Sequence, residues 1–309
     1  MRYPLLLKPV TKDYLWGGTR LKTEYGFESD QDKVAEGWML ACHRDGVNVV
    51  QNGQHAGKRL DDVLAAWGYT EPFPLLIKLI DAQDRLSVQV HPDDAYALEH
   101  EGEFGKTEMW YVVDCEEGAT LAYGFTRELS RDELRERIEN DTLHEVIRYV
   151  PVKAGDALFI PAGTLHAIGK GILIAEVQQN SNTTYRVSAY GRVGADGKPR
   201  ELHVDKAVDV MRLTPSSLDE DTAAVSCDYG VERVLADCPY FKAVKLDLNG
   251  EKTLDVTAGF VSALVLSGSA SLVSETETLS LGKGDSVFVP ALCSVRLCGN
   301  AEVLLSFPM

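Results

Sequence analysis

The sequence is poor in positive charge, and this limits the partners it can have. Lysine and arginine number 31 against 47 aspartate and glutamate residues, so the formal net charge is −16 at pH 7. A field of that sign disfavours nucleic acid or an anionic membrane as the main partner. An anionic substrate would need a local cluster of basic side chains.

Paired cysteines and long apolar runs are also missing. None of the six cysteines forms a C-x-x-C pair, and the first apolar run is only three leucines, at 5–7. That run is too short for a secretory signal, and no other run approaches the length that spans a membrane. With 309 residues and 45% hydrophobic content, the chain can build a core without disulfides. We therefore expect a cytoplasmic protein whose cysteines are free thiols.

Short apolar strands separated by Gly, Pro, Asn and Asp turns recur along the chain, which is typical of an all-β sandwich or jelly roll. The predicted strands are 74–79, 86–90, 109–113, 120–124, 145–151, 157–160, 171–178, 241–246, 260–266, 270–272, 286–289 and 303–307. The few helical patterns are 60–67, 92–99, 130–140 and 202–212, and the third opens with a capping box, Ser130 and Glu133.

The stretch 213–235 is polar, acidic and without strong periodicity. Such a composition is typical of a connection between domains. We therefore predict a larger domain at residues 1–225 and a smaller C-terminal barrel at residues 226–309.

Two stretches 129 residues apart share one pattern, and only the first ends in a histidine. Residues 155–166 read GDALFIPAGTLH, and residues 284–295 read GDSVFVPALCSV. Each opens with a Gly-Asp turn, continues as an apolar strand and reaches a proline, which cannot donate to a sheet ladder. The pattern indicates one scaffold used twice, with His166 as a potential metal ligand in the first copy and Val295 in its place in the second.

Polar side chains on otherwise apolar strands supply the other candidate ligands. Alternate residues of a strand share a face, so Ser87, Gln89 and His91 are expected to point the same way. Lys106 and Glu108 share a face in the same manner at the start of a later strand. Together the candidates offer two imidazoles, one carboxylate and one amide oxygen: they are Gln89, His91, Glu108 and His166. This set suits Zn²⁺, Fe²⁺, Mn²⁺ or Co²⁺.

Each candidate ligand also has an ordinary structural interpretation. A histidine before a proline is often simply hydrogen-bonded, and Glu108 beside Lys106 would suit an exposed strand. The joint pattern favours a metal site. The remaining histidines lie in polar or loop contexts and are predicted to be surface residues: they are His43, His55, His100, His144 and His203.

Several motifs resemble a known family. The spacing G-x5-P-x-G-x2-H at 155–166 resembles the second signature of the cupin superfamily. The segments LWGG at 15–18, FPLLIK at 73–78, SVQVHP at 87–92, GKTE at 105–108, PAGTLHA at 161–167 and QNSNTTYR at 179–186 together resemble type I mannose-6-phosphate isomerases in their short bacterial form. The resemblance implies a mainly β fold of two cupin-type jelly-roll barrels with a few short helices, the second lacking metal ligands.

The resemblance also implies roles for individual residues. It implies one Zn²⁺ per chain on the four candidate ligands, although other divalent metals would fit, and it makes Arg186 the catalytic arginine. Lys106 and Glu176 match positions that line the family's pocket. One departure is Asn182, where many relatives have an aspartate, so this position cannot supply a carboxylate. The first cupin signature is altered as well, with Gln89 in place of a histidine.

The reaction implied is the interconversion of mannose 6-phosphate and fructose 6-phosphate through an enediolate. A divalent cation would stabilise its charge, and Arg186, Lys106, Lys78 and Ser87 are candidate donors to substrate oxygens or phosphate. A metal-bound hydroxide, Glu176 and Lys106 all remain candidates for the base. Glu176 shares a face with Ile172 and Ile174, so its carboxylate is expected to point inward, toward Arg186 or the metal site.

Two other functions fit parts of the pattern. Two histidines and a carboxylate hold Fe(II) in cupin dioxygenases, but the amide ligand and basic surroundings weigh against that reading. A non-catalytic sugar-binding cupin would be expected to have lost ligands in both copies of the repeat, whereas only the second copy has. The expected partner is a small sugar phosphate, and the expected assembly is a monomer or homodimer.

Overall fold

The chain folds into antiparallel sheets connected by turns and a few short helices. The computed structural model describes residues 2–193, 197–217 and 223–309. Within these residues the strands form sheets of nine, six, five and two members. The mainly β prediction is confirmed.

Two of the sheets belong to the predicted first barrel. The six-stranded sheet has the order Ala157–Ile160, Glu108–Cys115, Ile172–Gln179, Leu75–Ala82, Glu36–Leu40 and Val10–Lys12. The five-stranded sheet has the order Ile147–Pro151, Thr120–Phe125, His166–Ala167, Val88–Val90 and Tyr185–Ser188. A two-stranded ribbon joins Cys42–His43 to Gly46–Val47. Every candidate ligand lies in or directly after one of these strands.

The nine-stranded sheet contains the second barrel but also recruits the N-terminus. Its order is Val225–Cys227, Gly230–Asp237, Phe241–Val256, Cys293–Pro308, Phe260–Val273, Ser286–Pro290, Leu5–Lys8 and Val49–Val50, with Thr278–Gly282 paired to Phe260–Val273. Apolar side chains from both halves of the chain share one core, in which the Phe73 and Phe260 rings stack 5.2 Å apart. The two predicted domains therefore pack as one body, and the boundary at 225 remains a prediction.

The helices are short and lie in connections. They are Arg20–Thr23, Leu60–Ala66, Asp94–His100, Arg131–Glu139 and Val204–Val210, with 3-10 turns at Gly53–His55 and Leu143–Glu145. Ser130 Oγ accepts a hydrogen bond from the backbone N–H of Glu133, as the capping-box pattern predicts. The helix predicted at 202–212 is shorter than expected. It begins after His203, the N-cap residue, and ends before Met211, where the backbone becomes extended.

The repeated pattern has the same backbone in both copies. Gly155 and Gly284 adopt φ angles of 93° and 91°, which favour glycine, and each is followed by its strand. Eight residues later Gly163 has φ 86°, and its counterpart Leu292 keeps the left-handed conformation with φ 67°. Val295 is buried in the apolar core of the second barrel. The scaffold is therefore duplicated, and the place of His166 has become a core position.

The predicted connection at 213–235 is partly wrong. Val225–Cys227 and Gly230–Asp237 within it are strands at the edge of the nine-stranded sheet. Both strands are exposed or half-buried over most of their length. Their apolar residues therefore do not alternate clearly enough to be recognised in the sequence. The part of the prediction at 218–222 lies outside the described residues.

Candidate metal centre

A row of three paired residues crosses the five-stranded sheet. Gln89 pairs with His166 on one side and with Arg186 on the other. Directly paired residues of antiparallel strands project from the same face. The register therefore brings together an amide, an imidazole and a guanidinium that are 97 residues apart at their extremes in the sequence.

The six-stranded sheet supplies a second row. Glu176 pairs with Lys78 on one neighbouring strand and with Trp110 on the other. Glu108 is the first residue of the strand that contains Trp110, and it pairs with Gln178, two residues after Glu176. This sheet therefore carries the charged groups of the site.

The four predicted ligands converge. His91 Nε2 lies 3.1 Å from His166 Nε2 and 3.5 Å from Glu108 Oε2, and His166 Nε2 lies 3.2 Å from Glu108 Oε1. The Gln89 amide nitrogen lies 3.3 Å from His166 Nε2, and a 180° flip of the amide would turn its oxygen toward the same point. Among the described residues, His91, Glu108 and His166 form a cluster whose ligand atoms all lie within 4.8 Å of one another, and all three are buried.

Backbone carbonyls hold both imidazoles in the form that binds a metal. His91 Nδ1 lies 2.8 Å from the Thr183 carbonyl, and His166 Nδ1 lies 2.9 Å from that of Thr164. A carbonyl only accepts, so each Nδ1 carries the proton and each Nε2 lone pair faces the centre. Burial lowers the pKa of His166 to about 4 and that of His91 well below its usual range. Both rings are therefore neutral at pH 7, as metal ligation requires.

The surroundings of Glu108 test whether a cation fits. This carboxylate is fully buried: Oε2 forms an ion pair with Lys106, and Oε1 has no hydrogen-bond donor among the described residues. Burial raises the pKa of Glu108, against the opposing charge of Lys106. An ionised carboxylate that is only partly compensated costs several kcal/mol to bury. Two neutral imidazoles, an amide and this carboxylate thus fit a divalent cation by both donor type and charge.

Lys106 lies against the same donor atoms. Its Nζ is 2.7 Å from Glu108 Oε2 and 3.1 Å from His91 Nε2. The prediction that its ammonium lies near the candidate metal site agrees with these distances. A cation on Glu108 and His91 would compete with the ammonium for these atoms, so Lys106 would then be available to other acceptors.

Glu176 has a different partner from the one expected. The sequence suggested Arg186 or the metal site, but Glu176 Oε2 lies 3.0 Å from Lys78 Nζ, and Oε1 accepts a hydrogen bond from Trp110 Nε1 at 2.8 Å. Lys78, predicted as a candidate donor to the substrate, is buried and paired with this carboxylate. Burial alone would raise the pKa of Glu176, but the charges of Lys106 and Lys78 outweigh it and lower that pKa.

A cavity of about 310 Å³ opens beside these groups. Its lining includes every predicted catalytic and substrate-binding residue: Lys78, Ser87, Lys106, Glu176 and Arg186. A volume near 300 Å³ lies at the lower end of the range for small-molecule sites. Side chains that the sequence did not assign to a substrate pocket also line it: Tyr14, Trp16, Glu36, Trp110 and Arg200.

The loop that carries Asn182 is held from outside the cavity. Glu103 Oε2 accepts hydrogen bonds from the Ser181 and Thr183 hydroxyls and from the Asn182 backbone. Its other oxygen lies 2.8 Å from His43 Nε2, so His43, predicted to be a surface residue, is in fact buried and paired. The network positions Thr183, whose carbonyl orients His91.

Asn182 has a role that an aspartate could not fill here. Its side-chain N–H donates to Asp45 Oδ2 at 2.9 Å. An aspartate would have placed a second carboxylate against Asp45. The departure from the family's usual residue is therefore matched by a local partner.

Comparisons with known proteins agree with this geometry. Residues 5–118 match the family model for phosphomannose isomerase type I, catalytic domain, and residues 232–308 match the model for mannose-6-phosphate isomerase, cupin domain. The chain is 40% identical over 314 residues to the mannose-6-phosphate isomerase of Streptococcus mutans, across 99% of this chain and 98% of that protein. The chain belongs to the type I phosphomannose isomerase family.

Solved structures extend this membership to the fold. The mannose 6-phosphate isomerase of Bacillus subtilis superposes with a TM-score of 0.92 at 37% identity, covering 99% of this chain and all of that one. The predicted family and the cupin-type fold of this phosphomannose isomerase are therefore confirmed. Within the described residues, no helix is long and apolar enough to cross a membrane.

Replacement of His166, the candidate ligand that ends the first copy of the repeated pattern, tests the metal site. His166→Ala removes an imidazole from a buried cluster, and we expect zinc binding at stoichiometric metal to be lost. The matched control is Val295→Ala, the equivalent position of the second barrel, which should keep its zinc. Metal content after gel filtration, measured by mass spectrometry, reads out both. Equal zinc in the two variants would contradict the assignment.

Proposed function

We propose that this chain interconverts mannose 6-phosphate and fructose 6-phosphate, using one Zn²⁺ held by Gln89, His91, Glu108 and His166. The observation that carries the proposal is the buried convergence of these donors at a cavity, in a chain related over its full length to mannose-6-phosphate isomerases. The substrate is accordingly a hexose phosphate. A cytoplasmic location and a monomeric or dimeric state stay predictions from the sequence.

The reaction moves a proton between C2 and C1 and places negative charge on an enediolate oxygen. The bound cation supplies Lewis acidity to the sugar's carbonyl and hydroxyl oxygens. The remaining steps fall to the side chains of the cavity wall. They must bind and orient the sugar, stabilise the developing charge and accept the proton.

Lys106 and Arg186 are the proposed donors to the charged oxygens. With a cation on Glu108, Lys106 Nζ would be available to donate to a substrate oxygen. Arg186 offers a permanently charged planar fork, whose Nη1 is anchored on the Glu201 carbonyl at 3.0 Å and whose buried Nε has no hydrogen-bond partner among the described residues. Ser87, buried at the cavity wall, adds a hydroxyl.

Glu176 is the proposed proton acceptor. The cavity is lined by two carboxylates, Glu36 and Glu176, and the charge of Lys106, next to the ligands, acts on Glu176. Trp110 and Lys78 hold it in place, and the two lysines keep it ionised, as a base must be. Lys78, buried against Glu176, serves the carboxylate in this account more than the substrate.

A coupled isomerase assay tests the proposed function. We expect turnover of mannose 6-phosphate that is lost on complete chelation and restored by Zn²⁺, because the enediolate charge needs the cation. Oxygen uptake should be absent, which separates the isomerase from an Fe(II) dioxygenase. Turnover that persists without metal, or binding of the sugar without turnover, would contradict the proposal.

Isotope exchange tests the role of Glu176. Glu176→Gln should slow solvent deuterium exchange at C2 by about 10²-fold or more, the size of a general-base contribution. The matched control is Glu36→Gln, which removes the other carboxylate near Lys78, 3.9 Å away, and should leave exchange within a few-fold of wild type. Exchange at the wild-type rate in Glu176→Gln would exclude Glu176 as the base.

A further inference from the structure

The cations that line the cavity differ in whether their charge is neutralised. Lys78 is paired with Glu176, and Lys106 is paired with Glu108. The other two are Arg186 and Arg200, and within the described part of the chain neither forms an ion pair with a carboxylate. In a protein of net charge −16, two uncompensated guanidinium groups at one cavity call for an explanation.

Each of the two arginines is also acted on by the positive charge of another arginine. Burial and then the charge of Arg200 lower the pKa of Arg186. Burial and then the charge of Arg192 lower the pKa of Arg200. Both side chains are partly withdrawn from water, so this repulsion is not fully screened. Carboxylates also line this cavity, where Glu36 lies, and the larger cavity that adjoins it, where Asp13 and Asp32 lie, but none of them forms an ion pair with Arg186 or Arg200 among the described residues. Two guanidinium groups held together in this way are suited to an anion of more than one charge.

The position of Arg200 places that anion at the mouth of the cavity. Arg200 lines both the 310 Å³ cavity and an adjoining cavity of about 550 Å³, where Arg192 and Lys33 also lie. Arg192 is already engaged, 3.6 Å from Asp84 and bonded to the Arg85 carbonyl. Arg200 is therefore the cation that connects the outer cavity with Arg186.

We propose that Arg200, together with Arg186, forms the subsite for the substrate's phosphate group, an inference that rests on the proposed function. A phosphate ester carries a charge between about −1.5 and −2 at pH 7 and presents three acceptor oxygens, which two guanidinium forks can share. The sugar's reacting carbons then extend inward to the ligand cluster. Lys78, a sequence-based candidate for this contact, is committed to Glu176 deeper in the cavity.

This role makes a prediction that separates binding from chemistry. The phosphate does not change in the reaction, so Arg200 contributes equally to substrate and transition state, and its loss raises KM more than it lowers kcat. Arg200→Ala should raise the KM for mannose 6-phosphate about 10- to 100-fold, the range of a charged hydrogen bond. Competitive inhibition by inorganic phosphate should weaken by a similar factor, and Arg200→Lys should recover part of both.

The control removes an equal charge elsewhere. Arg127 is an exposed arginine paired with Glu133, and Arg127→Ala should leave both constants unchanged. Circular dichroism and zinc content check that the Arg200 variants are folded and loaded. If those variants keep the wild-type KM and phosphate inhibition, the subsite is wrong.

Failure of the proposed function itself would look different. In that case wild type would not isomerise mannose 6-phosphate at all. Calorimetric titration of wild type and Arg200→Ala with inorganic phosphate would then still test the anion site. Weaker phosphate binding by the variant supports the subsite, and equal binding overturns it.

Discussion

The site depends on a carboxyl group buried between two β-sheets. Glu108 is inaccessible to water, and its two histidine neighbours are neutral because they are buried, while the carbonyls behind them fix the proton on Nδ1. Burial of a charge costs several kcal/mol unless a counter-charge and good geometry compensate it. A divalent cation would supply the counter-charge most directly, because two imidazoles, a carboxylate and an amide lie around one point.

Sheet register is the means by which distant residues reach this point. His166, Gln89 and Arg186 stand side by side because three short strands pair at these residues. Opposite them, Lys78, Glu176 and Trp110 form an equivalent row on the six-stranded sheet. A slip of one residue in any of these strands would turn its functional side chain to the other face. The site is therefore as well defined as the sheets themselves.

The distribution of positive charge then divides the cavity into regions. Near the ligands, each lysine stands against a carboxylate, so charge is balanced and the groups are held in place. At the mouth, Arg186 and Arg200 form no ion pair with a carboxylate of the described residues. This difference in charge is the basis for the proposed orientation of a hexose phosphate, with its sugar carbons inward and its anionic end outward.

The duplicated scaffold shows which features serve folding and which serve chemistry. Both copies keep the left-handed turn, even where Leu292 replaces a glycine in a conformation that costs about 1–2 kcal/mol per ordinary residue. Only the first copy keeps a histidine at its end. The second barrel thus retains the backbone and fills the ligand position with Val295, a core side chain.

The sequence predicted the clustered candidate ligands better than their surroundings. Gln89, His91, Glu108 and His166 could be predicted because strand alternation and a repeated motif mark them. The partner of Glu176 could not be predicted, because it depends on which strand lies beside Ile172–Gln179. Arg200 lies in a polar segment without periodicity, and only the fold brings it to the cavity. Likewise, the N-terminal strand Leu5–Lys8 joins the second barrel through a pairing of high sequence separation that no local pattern reveals.

X-ray absorption spectroscopy at the zinc edge of the loaded protein tests the central claim most directly. The account predicts a first shell made only of nitrogen and oxygen at about 2.0–2.2 Å, with the outer-shell scattering of two imidazoles. A sulfur ligand at about 2.3 Å, or scattering from fewer than two imidazoles, would show that the metal is held elsewhere and would contradict the account.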